Sequence, residues 1–176
     1  MQNILEKAKN IDWVILDVDG VMTDGSLFIG DDGQEYKAFN SLDGHGLRML
    51  QDSGVSVAII TGRQSKVVNH RMEDLGITTI YQGYRDKTPA YEALLKDKNI
   101  QDANIAYVGD DVVDLPIMSR VGLPIAVQNA HPFVKKHSAW TTEASGGRGA
   151  VREVCEMIIQ SRGMLEEKLE SYLHQP

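Results

Sequence analysis

The sequence predicts an α/β fold: a Rossmann-like parallel sheet flanked by helices. Three observations predict it. Short runs rich in Val and Ile recur along the chain without strict polar alternation, as strands buried on both faces should. Helical patterns separate those runs. Clusters of acidic and hydroxyl residues follow directly after the predicted strands, at the edge where open parallel sheets bind their ligands.

Each element has its own reason. Trp13-Val14-Ile15-Leu16 reads as the first buried strand, and residues 55–60, 77–81, 105–108 and 124–127 repeat its character. Val68, Met72 and Leu75 fall at i, i+4 and i+7, and Gly76 is a natural helix stop. Thr88-Pro89 reads as an N-cap followed by a first-turn proline, with Tyr91, Leu94 and Leu95 on one face. Val151, Val154 and Ile158 mark a C-terminal helix.

Residues 26–39 break the rhythm. They read as a projecting β-hairpin around Asp31-Asp32-Gly33. Leu27 and Ile29 point one way and Phe28 the other, so the ribbon is apolar on both faces. Contact with another copy and packing onto its own domain both remain open. From about residue 163 the chain becomes a polar tail, with Leu165, Leu169, Tyr172 and Leu173 spaced helically. That tail either extends the last helix or stays loose. Residues 1–176 are expected to form one domain, with no separate cap.

The composition narrows the function classes. A net charge of -7 offers no broad basic face to nucleic acid. No apolar run approaches the roughly 20 residues of a membrane span, and the polar N-terminus lacks the core of a signal peptide. The cytoplasm is therefore the expected address. The single cysteine, Cys155, has no internal partner and is expected to be a buried thiol.

Four constellations carry chemistry. Asp17-Val18-Asp19-Gly20 follows the first strand, and Thr61-Gly62-Arg63 follows the strand at 55–60. Lys87 precedes a helix start, and Gly109-Asp110-Asp111-Val112-Val113-Asp114 follows the strand at 105–108. Each has a plain structural alternative: an Asp/Gly turn, a helix N-terminal turn, a solvated lysine and a capping carboxylate. Together they make a stronger case. Like charges this close repel unless a cation is present, and magnesium takes oxygen ligands from one or two carboxylates, waters and a phosphate. Asp17 and Asp110 can supply the carboxylates.

The order Asp-x-Asp-Gly, Thr-Gly, Lys, Gly-Asp-Asp-x-x-Asp resembles the four motifs of the haloacid dehalogenase superfamily, from about Trp13 to Asn129. Within it the chain is most similar to the branch acting on a phosphorylated sugar acid, 3-deoxy-D-manno-octulosonate 8-phosphate. That likeness rests on Asp19-Gly20-Val21-Met22-Thr23-Asp24-Gly25, Asp43-Gly44-His45-Gly46, Thr61-Gly62-Arg63, Asp114-Leu115-Pro116 and residues 146–153. The resemblance implies a magnesium-dependent phosphatase of lipopolysaccharide precursor synthesis. Asp17 would be the nucleophile, Asp19 the general acid and base, and Thr61 and Lys87 the grip on the phosphoryl group. Asp17, Asp110 and the Asp19 carbonyl would hold Mg2+. Asp111 would hold a metal-bound water or orient Lys87, and Asp114 would be a weaker, structural support.

The resemblance also implies a homotetramer in which neighbouring subunits help cover the site. Arg63 would meet the substrate carboxylate, while the Gly62 N–H beside Thr61 would donate to a phosphate oxygen; related sialic-acid-type phosphatases carry an acidic residue at the place of Arg63. Arg148 would reach a site in its own or a neighbouring subunit. His45 is not expected to be a catalyst. Other readings are the same chemistry on another sugar-acid phosphate or a nucleotide, a receiver-like switch, and a non-catalytic scaffold. A receiver domain places its acidic pair and its phospho-accepting Asp on different strands, which Asp17 and Asp19 do not.

Overall fold

The computed structural model describes residues 2–174. Helix α1 (Gln2–Ala8) leads into β1 (Trp13–Leu16), and a hairpin of β2 (Phe28–Ile29) and β3 (Glu35–Tyr36) comes next. The chain then alternates: α2 (Ser41–Asp52), β4 (Ser56–Thr61), α3 (Lys66–Asp74), β5 (Thr79–Gln82), α4 (Thr88–Lys98) and β6 (Ile105–Gly109). It continues through α5 (Leu115–Met118), β7 (Leu123–Ala126), α6 (Pro132–Lys136), β8 (Trp140–Thr141), α7 (Ala150–Ser161) and α8 (Leu165–Ser171).

Six strands form one parallel sheet in the order β5-β4-β1-β6-β7-β8. The chain leaves β1 for β4 on one side and later returns to β6 on the other, so β1 sits at the switch point where ligands bind such sheets. Leu16 pairs in register with both Ile59 and Val108. One register therefore brings the residues after β1, β4 and β6 to a common edge. The strand interiors Val14, Ile15, Leu16, Ile59, Ile60, Ala106, Tyr107 and Val108 are fully buried. Each fully buried aliphatic side chain of this size contributes about 1.5–3 kcal/mol, which makes the edge a stiff mount.

Several boundaries differ from the sequence reading. The third sheet strand begins at Thr79 rather than 77. Helix α4 starts at Thr88, and its first amide is capped not by the Thr88 hydroxyl but by Asp86, whose Oδ1 accepts from the Thr88 N–H at 3.0 Å. Gly163, at φ +72°, ends α7, so the tail forms a separate helix rather than an extension.

Helix α2 has poor intrinsic propensity, with Asp43, Gly44 and Gly46 in its first turns. Packing on α7 explains it. A Cβ on Gly46 would fall 2.8 Å from Arg152 Cδ, so glycine lets the two helices close up. Buried Asp43 accepts from the Arg152 N–H at 2.8 Å and so caps α7 from a neighbouring element. Cys155 is buried in the same helix, as expected. Among the described residues no helix is long and apolar enough to cross a membrane.

The hairpin stands apart as a two-stranded ribbon. Leu27, Phe28, Ile29 and Tyr36 on it are all exposed; within this chain it does not bury its apolar faces.

Candidate active site at the carboxyl edge of the sheet

Asp17 is the first residue beyond β1, and its N–H donates to the Val108 carbonyl at 3.2 Å, continuing the ladder. That bond fixes its backbone. Its side chain is buried: Oδ1 accepts from the Val18 N–H at 2.7 Å, and Oδ2 lies 2.9 Å from Lys87 Nζ. Lys87, just before α4, is 2% exposed. With Asp86 capping the helix, Lys87 turns inward instead of into solvent.

Lys87 is held from the other side by Asp114, at 2.6 Å. Asp114 is wholly buried, and both its oxygens are committed. Oδ1 accepts from Lys87 and from the Tyr107 hydroxyl at 2.7 Å; Oδ2 accepts from the N–H groups of Asp110 and Asp111 at 3.0 and 3.2 Å. Of the two roles expected for Asp111, orienting Lys87 falls instead to Asp114. Asp114 has the structural part expected of it, and a central one. The Asp111 side chain accepts from the Val112 N–H and caps the short helical turn there. Tyr107 was missed; a tyrosine inside a Val/Ile strand gives no sequence sign that its hydroxyl completes a charge network.

Asp110 enters from the end of β6 and packs against the loop after β1. Gly20 makes room for it: φ is +95°, and a Cβ there would fall 2.1 Å from Asp110 Oδ2. Asp110 Oδ1 is buried with no hydrogen-bond partner. Oxygens of Asp17, Asp110 and Asp114 lie within 4.8 Å of one another. Burial, then the neighbouring Asp17 and Asp114 charges, push the Asp110 carboxyl up to about 7. Burial, opposed by Lys87, pushes Asp17 up to about 6. The Lys87 ammonium is raised, because Asp17 and Asp114 outweigh its own burial. One lysine thus leaves this carboxylate group short of positive charge. An orphaned oxygen, an all-oxygen donor set and excess negative charge fit a hard divalent cation such as Mg2+. Asp17 and Asp110 have capacity for it; Asp114 is already spent on its four donors.

Asp19 stands on a different support. Lys37 Nζ donates to its Oδ1 at 2.5 Å and to Glu35 Oε1 at 3.1 Å. Arg63 Nη2 donates to the same Glu35 oxygen at 3.0 Å, and Arg63 Nε lies 3.8 Å from Asp19 Oδ2. Partial burial works against the Glu35 carboxylate, but these cations hold it below the usual range. Lys37 and Glu35 were missed. The available signal was strand alternation: a Tyr36 facing outward sends residues 35 and 37 inward.

Asp17, Asp19, Thr61, Gly62, Arg63, Lys87, Asp110 and Asp111 line one cleft of about 410 Å³, joined by Arg85 and Val113. Arg148 stands apart from it, 70% exposed on its side chain and paired with Asp24 at 3.1 Å. The loop bearing Arg148 is placed against the site's backbone: the Gly147 N–H donates to the Val21 carbonyl at 2.9 Å, and a Cβ on Gly146 would fall 1.8 Å from the Gly20 carbonyl oxygen. His45 is exposed, its ring packed edge-on against Tyr172.

Comparison with known proteins gives the family of the chain. A family model for haloacid dehalogenase-like hydrolases matches residues 78–153. The chain is 48% identical over 165 residues to 3-deoxy-D-manno-octulosonate 8-phosphate phosphatase of Escherichia coli K12, covering 94% of this chain and 88% of that one. The crystal structure of the Yersinia pestis phosphatase of that name superposes with a TM-score of 0.91 at 48% identity, over 93% of this chain and 89% of the other. The Moraxella catarrhalis phosphatase, solved with magnesium, phosphate and a KDO molecule, gives 0.95 at 40% identity, over 98% and 99%. The chain belongs to the haloacid dehalogenase-like hydrolases, in the branch of the 3-deoxy-D-manno-octulosonate 8-phosphate phosphatases.

Proposed function

We propose that this protein hydrolyses 3-deoxy-D-manno-octulosonate 8-phosphate to the free sugar acid and inorganic phosphate, through an aspartyl phosphate on Asp17, in lipopolysaccharide precursor synthesis. One observation carries the reading: Asp17 lies between a buried lysine and Asp110 on the floor of a cleft, with Asp19 two residues on at its rim. The Escherichia coli and Moraxella catarrhalis relatives supply the substrate.

Asp17 attacks phosphorus, and a P–O bond to the carboxylate forms as the P–O bond to the sugar breaks. Asp19 gives its proton to the departing alkoxide. Water then attacks the same phosphorus, Asp19 takes its proton, and the bond to Asp17 breaks. Phosphate leaves and both carboxyl groups return to their starting states. Lys87, Thr61 and the Gly62 N–H hold the phosphoryl oxygens. Lys87 also offsets the repulsion between an anionic nucleophile and an anionic substrate. Asp17, Asp110 and the Asp19 carbonyl would hold Mg2+, which supplies further charge neutralisation and alignment of the phosphoryl group. Asp111 lines the entrance and Asp114 keeps Lys87 in place.

Arg63 meets the substrate carboxylate by leaving Glu35. The exposed apolar hairpin favours a homotetramer, in which Arg148 of a neighbouring subunit completes the cover of a site that has no separate cap among the described residues. A phosphorylated acid does not cross membranes unaided, so the enzyme works where its substrate is made, in the cytoplasm.

The test is phosphate release with Mg2+ across a panel of phosphorylated sugar acids and nucleotides, for wild type and Asp17→Asn. Preference for the octulosonate ester, abolished in the variant, supports both mechanism and substrate. Preference for a different compound removes the substrate. Undiminished turnover by the variant removes the mechanism.

A further inference from the structure

The hairpin is not only an apolar ribbon. Its β3 strand and the residue after it alternate: Tyr36 faces outward, 62% exposed, while Glu35 and Lys37 turn toward the cleft. The Lys37 side chain is 1% exposed. A lysine ammonium is strongly hydrated, and burying one costs free energy unless carboxylates receive it. Here two do: Asp19 Oδ1 at 2.5 Å and Glu35 Oε1 at 3.1 Å. Glu35 in turn receives Arg63 at 3.0 Å.

The result is a closed set of two acids and two bases drawn from three places: the loop after β1, the hairpin and the turn after β4. Its effect on Asp19 is directional. Lys37 engages Oδ1. Oδ2 stands 3.8 Å from Arg63 Nε, longer than a hydrogen bond, and is left for exchange with a substrate. A carboxylate on a short side chain rotates freely unless one oxygen is fixed. General acid catalysis needs its proton within hydrogen-bond reach of the leaving oxygen.

We propose that Lys37, delivered by the hairpin, is a positioning residue that fixes the Asp19 carboxyl for proton exchange with the leaving group. Glu35 secures Lys37, and it also holds Arg63 until a substrate carboxylate takes its place. This rests on the reading of Asp19 as general acid.

The role predicts a dependence on the leaving group. An alkyl phosphate such as octulosonate 8-phosphate expels a poor leaving group and needs the proton. An aryl phosphate such as p-nitrophenyl phosphate expels a stabilised phenolate and scarcely needs it. The readout is the ratio of kcat/KM on the two esters, which reports the step that forms the aspartyl phosphate. A partly unfolded sample lowers both values alike and leaves the ratio unchanged.

Lys37→Met is expected to lower kcat/KM on the alkyl ester by about 10–100-fold, part of the usual range for general acid catalysis, and on the aryl ester far less. Asp19→Asn is expected to show the same selectivity, more strongly. Lys37→Arg, which keeps a cation, should restore most of the ratio. Equal losses on both esters with Lys37→Met, while Asp19→Asn stays selective, would overturn the positioning role and leave the acid in place. A non-selective Asp19→Asn would overturn the acid itself. If wild type spares the octulosonate ester, the substrate assignment falls, and the ratio is read on the alkyl phosphate that the panel identifies instead.

Discussion

Asp17 and Asp19 are two residues apart, yet they belong to different constructions. Asp17 sits on a floor built by the sheet: its backbone continues β1, its partners Lys87 and Asp114 are buried, and Tyr107 closes the network from β6. Asp19 sits on a rim assembled from loops, with Lys37, Glu35 and Arg63 arriving from the hairpin and the turn after β4. In the proposed mechanism the floor holds fixed charges where phosphorus is attacked. The rim then holds the group that would change protonation twice per cycle, and its arginine is 45% exposed, open to exchange partners. One carboxylate is held through a backbone tied into the sheet, the other through side chains brought by loops, and this follows from which elements support each.

The largest effect should come from removing the floor's cation. Lys87→Met leaves Asp17, Asp110 and Asp114 without their buried counter-charge. Breaking a buried pair in this way costs about 3–5 kcal/mol. Loss of the phosphoryl contact should lower kcat by roughly 10²–10³-fold or more. Lys37→Met should cost less, about 1–3 kcal/mol, since Asp19 and Glu35 keep partial access to water once their cation is gone. Denaturant unfolding of both variants checks this ordering. Equal destabilisation would erase the distinction between floor and rim.

The floor should also respond to metal and pH, the rim much less. In the metal-free chain, folding raises Asp17 to about 6 and Asp110 to about 7, from ordinary values near 4. The folded state therefore binds protons more tightly than the unfolded one. That contribution to stability is complete below about pH 4 and is lost as pH rises through 6 and 7. Mg2+ competes with those protons, so its stabilising shift in Tm should be small at pH 5 and full above pH 7. Asp110→Asn should remove most of the shift, whereas Glu35→Gln should leave it intact. A Mg2+ shift that is flat across pH 5–8 would mean the cation does not bind to these carboxylates.

The same division explains what could be read from the sequence. The floor was legible because its residues stand at strand ends: Asp17 after Leu16, Thr61 at the end of its strand, Asp110 after Gly109. Asp114 was undervalued because a helix-capping aspartate and a buried ion-pair partner look alike before the chain is folded. The sheet strands are legible for the same reason of burial, apart from the two-residue β8, too short to carry a pattern. The rim was opaque. A lysine in a projecting hairpin ordinarily faces water, and only its approach to Asp19 buries Lys37. Helix α2 was hidden as well, since its glycines argue against a helix until Arg152 of α7 is seen to need the space.

Between floor and rim runs the loop from Val18 to Asp24, which is braced from behind by Gly146 and Gly147. Gly146→Ala would drive a methyl into the Gly20 carbonyl, and neither backbone can yield without moving the loop. A stability loss of about 1–3 kcal/mol is expected. Displacement of Asp19 by ~1 Å would lower kcat by about 10–100-fold. Asp17 is tied into the sheet and should move less. Nucleophile-dependent turnover of an aryl phosphate should therefore survive better than turnover of the alkyl ester. Comparable losses on both would show that the brace serves the floor as much as the rim.

The smallest effect on the isolated chain, and the most pointed for the assembly, should come from the hairpin's outer face. Phe28 and Tyr36 are cross-strand partners, 54% and 62% exposed, so replacing both with Ser removes little packing within one chain. The stability of the monomer should change by less than about 0.5 kcal/mol. If the ribbon is the contact between copies, sedimentation should show the double variant shifted from tetramer to smaller species. The inner face of the same ribbon carries Lys37 and Glu35, so a hairpin released from its neighbours should hold Asp19 less firmly. The expected signature is a dissociated protein that keeps its Mg2+ response and its aryl phosphatase activity but loses alkyl ester turnover. A dissociated protein with the wild-type ratio would separate assembly from the rim and leave Lys37 acting within a single chain. An undissociated one would move the oligomer contact elsewhere.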